Sequence, residues 1–453
     1  MNLENPIRYP DTSAAPVMNK RAWWLVLLGF LMPGAPQVLA GNKRLGRFAL
    51  ITTFVLWIVA ILLIALFFVA QDAVIALFTN GLVLLVAQWL LIGYAVFWVV
   101  LALNTFVLVR FVKLTPRTKG AVAALAVVAL VLSSGAFAYA SSLLGSTRTL
   151  IGDVFVAAPP VDPINGRYNF VLLGGDAGVD RDGLRPDSVT VVSVDAETGD
   201  AVMIGIPREL EGAPFPETSP MYALHPNGYG QTICELDVCK FNSIYTDAEV
   251  NHPDFYPDAA ERGSSPGIDA VMEAASGVTG LQIQFFVLID MQGFADMVDA
   301  LGGVDINVKE RVGLAEAGYE GEPLEWIEAG KQHLDGYHAL WYARTRWNTT
   351  DYDRMQRQRQ LQEAMLKQSS PMTLIVKFQD IAKAGAQVVR TDIPEGMVPT
   401  FVSLAKKTVK QPITTIELVP PLVDPFFPDY AAIQAMVAQA VAPKPTETPT
   451  PTN

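Results

Sequence analysis

The chain has 453 residues, 51% of them apolar and only 17% charged, which excludes a wholly soluble protein and leaves room for two or three domains. Charge divides it sharply. Residues 1–150 carry 11 Lys/Arg against 3 Asp/Glu, net +8, whereas residues 151–453 carry 22 against 42, net −20. The basic, apolar part suits the anionic cytoplasmic face of a membrane, and the acidic remainder argues against nucleic acid as a partner.

Residues 1–20 are largely polar and read as a cytoplasmic N-terminus with no cleavable signal peptide. Residues 21–145 read as an all-α transmembrane region. Three runs, Phe48–Ala70, Leu82–Val109 and Ala121–Leu144, reach the roughly 20 residues that a span requires. An earlier run, Ala22–Ala40, is interrupted by Pro33, Gly34 and Pro36 and fits a broken span, a re-entrant hairpin or an interfacial element. Lys20, Arg21, Lys43, Arg44 and Arg47, together with Arg110, Lys113, Arg117 and Lys119, mark the cytoplasmic loops, and the loop at Gln71 and Asp72 falls outside. The last span then runs outward. The expectation is a multi-pass cell-membrane protein whose residues beyond about Ser146 are extracytoplasmic. No span carries a central acid or base, so this half reads as an anchor and not as a transporter.

Pro159, Pro160 and Pro163 mark a linker over residues 146–165. A folded domain is expected over 166–370. Tyr168–Leu173, Val189–Val194 and Ala201–Ile206 are β-branched runs, the last two joined by the turn-like Asp195-Ala-Glu-Thr-Gly-Asp200. Helical spacing appears in Gly267–Ser276 and in Met291, Phe294, Met297, Val298 and Leu301, with a strand at Gln284–Ile289 between them. The alternation predicts an α/β domain, a mixed central sheet covered by helices. Residues 371–441, with a strand at Thr414–Val419, read as a C-terminal α/β extension packing on that domain, and 442–453 as a disordered Pro/Thr-rich tail.

The first strand ends at Gly174-Gly175-Asp176 and the second starts at Asp187-Ser188, after a loop too short for a parallel crossover. Antiparallel pairing would put Asp176 and Asp187 at one sheet edge. The third strand returns to that edge at Pro207-Arg208-Glu209. Paired carboxylates without a His or Cys cluster suit a hard, oxygen-seeking ion such as Mg²⁺; the alternative is that both are turn or capping residues.

Further on stands Leu340-Trp-Tyr-Ala-Arg-Thr-Arg346, then Asp351-Tyr-Asp-Arg354-Met-Gln-Arg357-Gln358. On a helix opened by Asp351 or Asp353, Arg354, Arg357 and Gln358 share a face. Arg344 and Arg346 align only on extended backbone, so the helix through His338 is expected to unwind near them. Guanidinium forks match phosphate oxygens, which favours a phosphate clamp over a solvated, ion-paired helix face.

Together these residues resemble the LytR-CpsA-Psr (LCP) family of cell-envelope phosphotransferases over about residues 168–366. Gly175-Asp176 is similar to the family's first acidic motif, Arg185-Pro-Asp187-Ser to its Arg-Ser-Asp-Thr, Ile206-Pro-Arg208-Glu to its Ile-Pro-Arg-Asp, and Lys240-Phe-Asn242-Ser-Ile-Tyr245 to its Lys-Ile-Asn-x-x-Tyr. Phe294 through Asp305, Gly330 through Gly336, Tyr342 through Arg346 and Asp351 through Gln358 complete the order. The resemblance implies an α/β/α sandwich with a hydrophobic pocket for a polyprenyl chain. It implies transfer of a glycan phosphate from a polyprenyl-pyrophosphate carrier to peptidoglycan, beside membrane lipid. By it, Asp176 and Asp187 would hold Mg²⁺ (or Mn²⁺), and Arg185, Arg208, Arg344 and Arg346 would be catalytic. Those four, with Lys240, Arg354, Arg357 and Gln358, would bind the pyrophosphate. Pro186, Ser188, Glu209 and Gly175 depart from the family pattern without removing a charge, and Pro186 bears on where Arg185 points. The extra spans also exceed the single one common in the family. Two other readings use much the same residues: a polyprenyl-phosphate-binding sensor, and a metal-dependent pyrophosphatase.

Cys234 and Cys239 lie in an apparent insertion before Lys240, and an oxidising compartment predicts a disulfide stapling the loop, with reduced thiols as the alternative. His225, His252, His333 and His338 show no ligand spacing and read as surface or core residues. Asn348-Thr-Thr350 matches a glycosylation sequon, a pattern common by chance.

Overall fold

In the membrane half the long helices follow the apolar runs but extend past them, and the last, Pro116–Val154, takes in residues 146–154, which the sequence suggested as linker. The computed structural model describes residues 7–176, 185–315, 321–368 and 389–443, and separates into two compact units, Met1–Thr149 and Leu150–Asn453. In the first unit the interrupted run becomes α1 (Ala15–Leu31) and α2 (Ala35–Ala40), broken at Pro33 and Gly34, where Gly34 has φ +97°. The long helices α3 (Lys43–Val69) and α5 (Gly81–Val109) flank α4 (Gln71–Thr79), a short helix where the sequence suggested a loop; α6 (Pro116–Val154) follows. Among the described residues, Lys43–Val69, Gly81–Lys113 and Pro116–Val154 are long and apolar enough to cross a membrane. α1 is held by polar contacts, Arg21 Nη1 donating to the Leu108 carbonyl at 2.7 Å, and α2 by Gln37 Nε2 donating to the Leu101 carbonyl at 3.0 Å.

The second unit is built on a six-stranded mixed sheet of β1 (Arg167–Asp176), β2 (Arg185–Asp195), β3 (Ala201–Ile206), β4 (Phe285–Asp290), β9 (Val389–Thr391) and β10 (Thr414–Glu417), in the order β10-β3-β2-β1-β4-β9. β1 to β3 form an antiparallel meander, while β4 lies parallel to β1 and β10 parallel to β3. Both edge strands come from residues C-terminal to 371. That region therefore completes the sheet instead of packing on a finished domain, because β3 and β4 would otherwise leave their ladders open. Its first part, up to residue 388, and the tail from residue 444 lie outside the described residues.

Period-two alternation divides the strands between two faces. Val171, Leu173, Val191, Ile204 and Phe286 enter the main core with α7 (Ile244–Val250), α8 (Pro266–Thr279) and α13 (Tyr430–Val441). Phe170, Leu172, Val192, Met203, Val287 and Ile289 face the other way, toward α9 (Met291–Leu301), α11 (Asp351–Gln368) and α12 (Val398–Thr408). The result is an α/β/α sandwich. The short ladder of β5 (Val304–Val308) with β8 (Gly330–Leu334), and that of β6 (Val312–Leu314) with β7 (Glu325–Ile327), share a smaller core with α10 (Gly336–Arg344) and α11.

Two stability tests follow from this packing. A Cβ on Gly277 of α8 would lie 1.8 Å from the Pro214 carbonyl oxygen. Gly277→Ala is expected to lower the unfolding free energy by about 1–3 kcal/mol, although helix propensity alone favours alanine by about 1 kcal/mol; denaturant unfolding measures it. Asp392 accepts a hydrogen bond from the Phe286 amide at 2.8 Å, and burial raises its carboxyl to about 7. Its native pKa exceeds that of the unfolded chain, so the folded state binds the extra proton. Its contribution to stability is complete below about pH 4 and is lost as pH rises to about 7. Melting curves across that range should show the slope in the parent chain and a flatter profile in Asp392→Asn.

Candidate functional site

The β1–β2 hairpin places the first acidic residues. Asp176 stands opposite Arg185 and Gly175 opposite Pro186, but Gly174 pairs with Ser188, so Asp187 is the extra residue of a β-bulge. A bulge turns its residue out of the ladder, and here it puts the Asp187 carboxylate at the sheet edge. The antiparallel pairing and shared edge match the expectation from loop length. The side chains of Asp176 and Arg185 lie outside the described residues, and only their backbone pairing bears on the site. Arg208, two residues beyond β3, donates from Nη1 to Asp187 Oδ1 at 2.8 Å.

The arginine segment is shaped by one threonine. α10 ends at Arg344, and Thr345 is extended at φ −60°, ψ 142°, as the spacing of Arg344 and Arg346 required. The buried Thr345 hydroxyl is within hydrogen-bond distance of the carbonyls of Gly313, at 2.8 Å, and Ala315, at 3.2 Å. Its neighbours Arg344 and Arg346 are thereby turned away from that core. α11 opens on a reciprocal cap: the Asp353 carboxylate accepts from the Thr350 amide at 2.8 Å, and Thr350 Oγ1 accepts from the Asp353 amide at 3.2 Å.

With Asp353 serving the cap, Asp351 is left for the arginines. Its Oδ1 lies 3.4 Å from Arg208 Nε and 3.7 Å from Arg346 Nη1, and its Oδ2 lies 3.1 Å from Arg354 Nη2. Arg354 also donates to the Asp187 carbonyl at 3.1 Å. Burial opposes the charge on Arg208, yet the Asp187 hydrogen bond and the Asp351 field outweigh it and hold the guanidinium above its ordinary pKa. Arg354, only 4% exposed, is shifted the other way by burial, with Asp351 opposing the shift. In the sequence alone Asp351 reads only as a helix opener. Its three-residue spacing from Arg354 was the available signal.

Arg344, Arg354 and Gln358 join Asp187 and Ser188 at the polar end of a cavity of about 640 Å³. From Ser188 the cavity runs along β2 to Val194, six residues or roughly 20 Å at strand rise. Phe170, Val192, Phe294, Met297, Met365 and Phe401 line its apolar length. Arg357 and Lys240 are placed elsewhere. Arg357 is buried and bonds the carbonyls of Tyr342 and Thr345, the former at 2.8 Å, which ties α11 to the segment carrying Arg344 and Arg346. Lys240 sits over the Phe426 ring, 5.0 Å from its centroid. Cys234 and Cys239 are disulfide-bonded, as the insertion predicted.

Among the described residues the guanidiniums of Arg208, Arg344, Arg346 and Arg354 gather near this end, and their planar donor forks match the oxygens of a phosphate-type anion. The donors also fit a hard cation in kind: Asp187 is a one-third exposed carboxylate beside the cavity, and the hairpin register brings the backbone of a second aspartate to the same edge.

A family model described as the LytR_cpsA_psr family matches residues 155–424. The polyisoprenyl-teichoic acid–peptidoglycan teichoic acid transferase TagU of Halalkalibacterium halodurans is 29% identical over 229 residues, half of this chain and 61% of that protein. The probable cell wall biosynthesis protein LcpB of Corynebacterium glutamicum is 35% identical over 157 residues, 34% of this chain and 36% of that one. The chain thus spans less than two thirds of these relatives. The crystal structure of TagV from B. subtilis aligns at 22% identity and a TM-score of 0.43, covering 62% of this chain and all of that one.

The arginines separate by what they hold. Arg357→Ala leaves two buried carbonyls without their donor and is expected to cost about 3 kcal/mol of stability. Arg344→Ala, at a half-buried position on the cavity rim, should change stability by less than about 1 kcal/mol. Thermal and denaturant unfolding of the two variants side by side measures the difference.

Proposed function

The chain belongs to the LytR-CpsA-Psr family, and on that premise we propose that it transfers a glycan phosphate from a polyprenyl-pyrophosphate carrier to a peptidoglycan acceptor outside the cytoplasm. The observation that carries this reading is the joining of an apolar cavity to a clustered arginine end at one sheet edge. A polyprenyl chain would occupy the apolar length and leave the pyrophosphate among Arg208, Arg344, Arg346 and Arg354. Gln358, whose amide donates to the Ala343 carbonyl at 3.0 Å, lines the same end. Arg185 belongs to this set by its motif. Three helices long and apolar enough to cross a membrane, bracketed by Lys and Arg, support an outer side for this unit, and the names of the relatives agree with a cell-wall role.

In the proposed reaction an acceptor hydroxyl oxygen attacks the glycan-side phosphorus. The bond from that phosphorus to the bridging oxygen breaks, lipid monophosphate leaves, and the hydroxyl proton is lost. Phosphoryl transfer is mainly positioning and charge neutralisation. The shared Asp351 carboxylate holds Arg208, Arg346 and Arg354 in place before the anion arrives, so little reorganisation is needed when it does. Asp187, with Asp176, would hold Mg²⁺ or Mn²⁺, which when bound adds positive charge beside the phosphates.

The test uses the full chain in detergent with Mg²⁺ and a polyprenyl-pyrophosphate-linked glycan labelled in the sugar. Label should join added peptidoglycan as lipid monophosphate appears, and Asp187→Ala or Arg344→Ala should slow this by about 100-fold or more. Tight lipid binding without turnover, unchanged in Asp187→Ala, would replace the transferase with a sensor. Release that is indifferent to peptidoglycan would make the protein a pyrophosphatase.

A further inference from the structure

A second constellation lies away from the cavity, in the insertion between β3 and α8. Glu235 sits inside the loop closed by the Cys234–Cys239 disulfide, Asp247 is in α7, and His252 follows that helix. One ligand atom from each lies within 4.8 Å of the other two, and His252 Nε2 is 2.9 Å from Glu235 Oε2. None of the three lines the apolar cavity.

Asp247 is 1% exposed, yet among the described residues no lysine or arginine forms an ion pair with it; its side-chain partners are neutral, the Asn251 amide at 2.7 Å and the Tyr229 hydroxyl. A buried carboxylate without a counter-charge is expensive, and a cation would supply one. His225 is an independent observation. It is 2% exposed, both ring nitrogens lack a hydrogen-bond partner among the described residues, and its ring lies within electrostatic reach of Asp247, His252 and Glu235. A buried imidazole with two unused nitrogens is unusual unless something outside the chain engages it.

We propose that Glu235, Asp247 and His252 form a binding site for a divalent transition ion of the zinc class, with the buried His225 ring nearby and water completing the shell. Mixed imidazole and carboxylate donors suit zinc, and ligand distances of about 2.0–2.2 Å need only small side-chain movements from the present spacing. The ion would tie the disulfide-closed loop to α7. The role is structural, distinct from the hard cation proposed at Asp187.

The experiment uses full-length protein in detergent, without a polyhistidine tag, stripped with a chelator and kept in excess Mg²⁺. Zinc is titrated against a chromophoric zinc indicator, and Co²⁺ is added separately to read its visible bands. One zinc per chain is expected. Glu235→Gln, at an exposed position that leaves folding intact, and His252→Ala should each weaken binding at least tenfold and remove the tetrahedral cobalt bands, while Asp187→Ala retains both. Failure to bind one equivalent, or equal affinity in the parent, Glu235→Gln and His252→Ala, overturns the proposal. So does loss of binding in Asp187→Ala alone.

Discussion

Guanidiniums crowded at one end of an apolar cavity repel one another, and the low dielectric around them strengthens the repulsion. The Asp351 carboxylate relieves it. By standing between Arg208, Arg346 and Arg354 it fixes three long side chains drawn from three different parts of the chain. Its position depends in turn on the Thr350–Asp353 cap, which starts α11 at the right residue, and on Arg357, which fastens α11 to the segment after α10.

The sheet serves this arrangement through a single irregularity. A regular β1–β2 ladder would put Asp187 in register with Gly174 or Gly175; the bulge frees it to meet Arg208 while Ser188 onward returns to strict alternation. Past the bulge, alternation sends one set of side chains into a filled core and the other toward a cavity bounded by α9, α11 and α12. The polar end and the apolar length are two consequences of one strand.

Much of this was legible from residues. Short loops forced the antiparallel meander, β-branched runs marked β1 to β4, and the two-residue spacing of Arg344 and Arg346 required extended backbone at Thr345. What stayed hidden depended on partners distant in sequence. Asp351 reads as a capping residue until Arg208, remote along the chain, and Arg346, five residues before it, are seen beside it. Arg357 shares motif, helix and face with Arg354, but the offset of about 60° between positions three apart is enough to turn it toward backbone carbonyls. β10 falls within the strand expected at Thr414–Val419, whereas β9, three residues long, is too short for periodicity to distinguish it from loop. His252 and Glu235 are 17 positions apart and match no ligand spacing; the disulfide loop brings them together.

The cavity beneath β2 has a thermodynamic consequence. Its walls are the inward face of a sheet and three helices, surfaces that in most domains would be in contact with each other. An apolar chain seated between them becomes a surrogate core, contributing the dispersion contacts and water exclusion that the protein's own side chains forgo. Under the proposed function, occupancy and folding would be linked, and the stability of the protein would rise with the supply of that chain.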